Sequence, residues 1–152
     1  MTGLINKPMS MDEFRTSLKR HALKATNQRL AVHEAMMALG HASADMVCDY
    51  LSSKGSAVKV NTSSVYNILS QLAMVGIYRH RLSANNKMYF DVNSARHIHL
   101  YDLSTHTFRD LPDDEFSEMV FAKLGRKRFK GFKIENVDVQ ILVRPTQKSS
   151  KK

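Results

Sequence analysis

The chain has 152 residues, enough for one ordinary domain or two small ones. With 43% hydrophobic and 24% charged residues it is globular rather than disordered, and no apolar run approaches the ~20 residues of a membrane span. A formal charge of +9 favours a polyanionic partner, and a single cysteine excludes an internal disulfide and any Cys-rich zinc site.

The charge is uneven: residues 1–90 carry 11 Lys and Arg against 5 Asp and Glu, and residues 91–152 carry 12 against 9. Nucleic acid is favoured over an anionic membrane, because no long helix pairs a basic face with an aromatic apolar one. The opening Met1-Thr2-Gly3-Leu4-Ile5-Asn6 lacks a signal-peptide core, so a cytoplasmic location is expected.

Ser10-Met11-Asp12-Glu13 is a capping-box pattern that opens a first helix to about Ala22, with Phe14 and Leu18 on its apolar side. Thr26 caps a second, Asn27 to about Leu39, on which Leu30, Val32, Ala35, Met36 and Leu39 recur near helical spacing before Gly40. Ser43 caps a third, Ala44 to about Ser52, with Met46, Val47, Tyr50 and Leu51 inward. Cys48 on it reads as a small packing residue, a redox thiol being the alternative.

Asn61-Thr62 caps a fourth helix, Ser63 to Val75, closed by Gly76. Val65, Ile68, Leu69, Leu72 and Val75 form its apolar set. Its opposite face presents Ser63, Ser64, Tyr66, Asn67 and Ser70, hydroxyls and an amide suited to phosphates or base edges in a major groove. A basic strand–turn–strand follows over residues 77–90. Short helices followed by a basic hairpin make a winged helix, with Arg79, Arg81 and Lys87 lining the wing against phosphates. A helical domain with a chance basic hairpin is the plainer alternative.

Beyond Asp91 the chain changes character. His97-Ile98-His99 alternates as a strand, which puts both imidazoles on one face. With Ser104-Thr105 as a two-residue turn, residues whose numbers sum to 209 face each other, which sets Asp110 opposite His99. Asp91 ends the preceding strand. Two imidazoles and two carboxylates in one region suggest a metal site, although His-x-His pairs are also common as solvated strand residues. A helix over Asp113–Leu124 then carries Phe116, Met119, Val120 and Leu124 on one face. The basic run 126–130 reads as a solvated connection or a second DNA contact, residues 137–143 as a strand, and residues 146–152 as a disordered basic tail. So small a C-terminal sheet would be completed most simply by a second copy, giving a homodimer suited to a two-fold DNA operator. The expected fold is α+β: a winged-helix DNA-binding domain over residues 1–90, a hinge at 91–96, and a dimerisation and metal-sensing α/β domain at 97–145.

Thr26-Asn27-Gln28-Arg29, His41-Ala42-Ser43-Ala44-Asp45, Ser63-Ser64-Val65-Tyr66-Asn67-Ile68-Leu69, Tyr89-Phe90-Asp91 and His97-Ile98-His99, in that order, resemble the successive signatures of the ferric uptake regulator (Fur) family. The resemblance spans about residues 12–143. It implies a metal-dependent transcriptional regulator, usually a repressor, and not an enzyme. The regulatory metal site of the family's peroxide-sensing branch corresponds here to His41, Asp91, His97, His99 and Asp110, and Tyr66 to a DNA contact. Three histidines and two carboxylates suit Fe(II) or Mn(II), with Zn(II) possible in a purified sample. Asp102 and Thr105 stand where the first Cys-x-x-Cys pair of the family's structural four-cysteine zinc site would lie, so that zinc is not expected. The same loss is shared with haem-responsive iron regulators, which keeps the signal open among peroxide, iron and haem. From a different class, a metallohydrolase could use such a centre, though no nucleophile or zincin motif accompanies it; a metal-storing module is a further alternative.

Overall fold

The computed structural model describes residues 9–92, 98–112, 114–134 and 137–146. The chain forms two compact units, Met1–Ala95 and Arg96–Lys152.

In the first unit the helices are α1 (Met11–Arg20), α2 (Asn27–Leu39), α3 (Ala44–Ser53) and α4 (Thr62–Met74). Each opens on the cap its sequence announces. Ser10 and Glu13 form a reciprocal capping box, and the side chains of Thr26, Ser43 and Asn61 accept from the backbone amides of Arg29, Met46 and Ser64. α1 stops two residues short of the expected Ala22, which has a positive φ of 60°. Gly40 and Gly76, with φ of 78° and 87°, turn the chain out of α2 and α4 as a Cβ-bearing residue could not do without strain.

Phe14, Leu18, Val32, Met36, Val47, Val65, Leu69, Leu72 and Phe90 are buried together in one core. Each such side chain contributes roughly 1.5–3 kcal/mol on burial. Ile68 and Val75 lie only half-buried at the margin of α4's inner face. The wing is a sheet of three strands, β1 (His41–Ala42), β2 (Arg79–Leu82) and β3 (Met88–Asp91), in the order β1-β3-β2. β1 is not expected from the sequence: His41, two residues ahead of the Ser43 cap of α3, pairs antiparallel with β3.

In the second unit, β4 (Ile98–Asp102) pairs antiparallel with β5 (Thr107–Asp110) and parallel with β6 (Val139–Val143), in the order β5-β4-β6. The pairing His99↔Asp110 through Asp102↔Thr107 keeps the expected register. The turn, however, is four residues long, Leu103 to His106, because Asp102 folds it: its Oδ1 accepts from the Ser104 amide at 2.8 Å and the Ser104 hydroxyl at 2.6 Å. α5 (Glu115–Gly125) is capped by Asp114, whose side chain accepts from the Ser117 amide. Its inner face differs from the expected one. Ser117 and Phe121 are buried, whereas Phe116 and Met119 are 51% and 48% exposed. The basic run ends in a tight turn that leaves Phe129 and Phe132 exposed, with the Phe132 amide donating to the Phe129 carbonyl at 2.9 Å. His97, Asp113, most of the expected hinge and the tail after Thr146 lie outside the described residues.

Candidate metal centre and nucleic-acid interface

Asp91 is the last residue of β3, the middle strand of the wing sheet, so it has a neighbour on each side: His41 directly opposite on β1 and Arg79 on β2. Its carboxylate is buried. Oδ2 lies 3.5 Å from His41 Nδ1 and 3.4 Å from Arg81 Nη1. Arg81 reaches it diagonally, two residues along β2, as side chains on one face of an antiparallel pair do.

The second unit repeats the combination. His99 sits directly across from Asp110, and its Nδ1–H donates to Asp110 Oδ1 at 2.8 Å. The imidazole is buried and stands perpendicular to the Phe108 ring, with 6.2 Å between ring centroids, while Asp110 remains partly open. An imidazole and a carboxylate set side by side are two hard-to-intermediate donors, a combination that fits Fe(II) or Mn(II) without any thiolate. Each pair taken by itself is chemistry such an ion accepts, and the pair in the first unit carries one departure, the guanidinium of Arg81 on Asp91. Where the family's first cysteine pair would stand, Asp102 closes the β4–β5 loop and Thr105 Oγ1 bonds Thr107 Oγ1 at 2.7 Å. Hydrogen bonds from Ser104 hold the Asp102 carboxyl below the usual carboxylate range.

On α4, Ser63, Tyr66 and Asn67 are exposed and Ser64 is half-buried. Tyr66 meets Phe90 edge-on at 6.0 Å and is 44% exposed. Ser63, Tyr66 and Asn67 line an open cleft with Asp45 and Lys87. The three wing cations divide. Lys87 is exposed, its ammonium 2.9 Å from Asp45 Oδ2, and that carboxylate raises its pKa. Arg79 is half-buried, and Arg81 is turned into the unit, where it cannot line the wing surface. A second cleft beside the start of α4, lined by Gln28, Lys59, Asn61 and Ser64, escaped the sequence reading; Gln28 Nε2 donates to the Lys59 carbonyl at 3.2 Å there. Of its lining, the sequence marks Ser64 as DNA-facing, Asn61 as a cap and Gln28 as part of a family signature, but not that the three come together.

The chain matches the Ferric uptake regulator family over residues 20–142. It belongs to that family. Fur-family proteins are metal-responsive transcription regulators and not enzymes, which removes the metallohydrolase alternative. Among solved structures it is similar to the Vibrio cholerae ferric uptake regulator, at 22% identity and a TM-score of 0.71, covering 87% of this chain and 99% of that one. The Pseudomonas aeruginosa regulator with manganese gives 22% and 0.68, over 88% and 98% of the two chains. The Helicobacter pylori regulator, described as having three functional metal-binding sites, gives 20% and 0.67, over 91% and 94%. At these identities the likeness speaks for the α+β fold. No curated protein matches closely. Among the described residues, no helix is long and apolar enough to cross a membrane.

Proposed function

We propose that this Fur-family chain is a repressor that binds a two-fold DNA operator as a homodimer and senses iron or peroxide through an Fe(II) or Mn(II) held by His41, Asp91, His99 and Asp110, with His97 as the fifth donor. The observation that carries the reading is that each unit independently sets an imidazole against a carboxylate, His41 with Asp91 and His99 with Asp110. A bound ion would supply a positive charge that four or five donors from both units can share. The chain's own residues do the rest: β1 and β3 of one unit and β4 and β5 of the other carry His41, Asp91, His99 and Asp110, and sharing one ion would restrain the hinge at 91–96. That restraint favours one spacing of the two recognition helices, so metal acts through differential affinity for a DNA-competent form. Ser63, Ser64, Tyr66 and Asn67 on α4 read the operator, while Lys87 and Arg79 serve the backbone. In a peroxide sensor a ligand histidine, His41, His97 or His99, would be the oxidation target.

The experiment is a calorimetric Mn(II) titration of the anaerobic protein beside His41→Ala and His99→Ala, which alter different units. Each variant is expected to lose more than the roughly 10–100-fold that removing an outer-shell partner costs, and to lose metal-dependent operator binding. If His41→Ala bound Mn(II) like the wild type, the shared ion would be ruled out. An Fe(II)-loaded, peroxide-treated sample in which none of His41, His97 and His99 gains an oxygen by mass spectrometry would leave iron as the signal.

A further inference from the structure

Arg81 belongs by sequence to the wing's phosphate-facing cations, yet its side chain is 4% exposed and its Nη1 lies 3.4 Å from Asp91 Oδ2. The same oxygen lies 3.5 Å from His41 Nδ1. A guanidinium keeps its charge at any accessible pH, so burying one requires an anion beside it, and a buried carboxylate requires a cation. In the metal-free chain each answers the other.

We infer that Arg81 is a built-in counter-cation that competes with the metal ion for Asp91 and thereby sets the metal concentration at which the protein responds. The inference rests on Asp91 being a metal ligand, as proposed above. Two cations that draw on one carboxylate oxygen couple negatively, and couplings of this kind are commonly about 5–150-fold. Metal entry must draw Asp91 away from the guanidinium or share it. The site's affinity is therefore lower than its donors alone would give, and in return the wing sheet keeps its buried carboxylate neutralised when metal is scarce. Arg81 acts through Asp91 and touches no DNA in this role.

The test uses full-length Arg81→Gln, which keeps hydrogen-bonding groups without the charge, and Arg81→Lys, which restores the charge. Mn(II) affinity is measured by competition with a chelating dye, and thermal unfolding is followed with and without Mn(II). Expected for Arg81→Gln is Mn(II) binding tighter on the order of tenfold, with the metal-free midpoint lowered much more than the metal-loaded one. Arg81→Lys should move both readouts back towards the wild type. If Arg81→Gln is unfolded without metal, Mn(II) should restore its folded signal. Equal or weaker Mn(II) affinity, equal loss of both midpoints, or no recovery on adding Mn(II) would make Arg81 a structural residue only and overturn the inference. Asp91→Asn separates the two levels: undiminished Mn(II) binding there would remove Asp91 from the site, and this inference with it, whereas reduced binding there with no effect of Arg81→Gln would leave the site standing and sink the competition alone.

Discussion

His33 is wholly buried, and its ring nitrogens have opposite duties. Nδ1 lies 2.6 Å from the Tyr78 hydroxyl and Nε2 2.8 Å from the Met9 carbonyl, while the ring stacks on Phe14 at 3.9 Å. A neutral imidazole has one donor and one acceptor, and this site uses both: Nε2–H donates to Met9 and Nδ1 accepts from Tyr78. Burial lowers the His33 pKa, with the Met9 carbonyl opposing it, and burial pushes the Tyr78 phenol up, so it stays a donor. Below the ordinary value of 6.5 the unfolded chain takes up a proton that the folded chain refuses, so His33 makes stability fall as the pH drops from there towards its folded value. His33→Phe keeps the stack but strands the Tyr78 hydroxyl, at a cost of about 1–3 kcal/mol at neutral pH. Urea unfolding at pH 7.5 and 5.5 should show the gap between wild type and variant narrowing at the lower pH; a constant gap would mean that His33 does not titrate in this way. Nothing in the local sequence marks this site, because its partners lie 24 and 45 residues away. Arg81 escapes a sequence reading for the same reason: strand periodicity says which face a residue takes, but not that the face is closed over by Asp91.

Elements were legible where their ends carry chemistry. Ser10, Thr26, Ser43 and Asn61 cap α1 to α4 as their positions suggest, because a side-chain oxygen answering a free amide is a local event. β1 was not legible, since two residues have no periodicity and only their pairing with β3 makes them a strand. The donor pair His99 and Asp110 was legible from spacing, while the His41 position came only with the family pattern. On α4 the reading of DNA can be tested with one atom. Tyr66→Phe preserves the ring against Phe90 and removes only the hydroxyl, so the fold and Mn(II) affinity should not change. Operator affinity should fall by roughly 0.5–1.5 kcal/mol, up to about tenfold, in fluorescence anisotropy. Unaltered affinity would place the operator elsewhere than on this face.

The second unit leaves large apolar side chains exposed. A three-stranded sheet with one helix is a small core, and its apolar groups are correspondingly ill-covered within the chain. Phe116 and Met119 on α5 are 51% and 48% exposed, and Leu142 on edge strand β6 is 52% exposed. The expected inner face of α5 therefore held apolar residues that face away from their own chain, as an interface helix does and a core helix does not. Covering them with a second copy would also set two α4 helices on one duplex, so assembly and operator affinity should fail together. The double variant Phe116→Glu with Leu142→Glu would put carboxylates into that contact and is expected to sediment as a monomer, with the wild type expected to sediment as a dimer. With only one α4 per particle it should lose about 10²–10⁴-fold in affinity for a two-fold operator, the range set by tethering two binding modules, while its affinity for an isolated half-site stays near that of the wild type. A variant that remained dimeric would assign the interface to other surfaces, and a monomer with full operator affinity would show that pairing of the chain is not what the DNA requires.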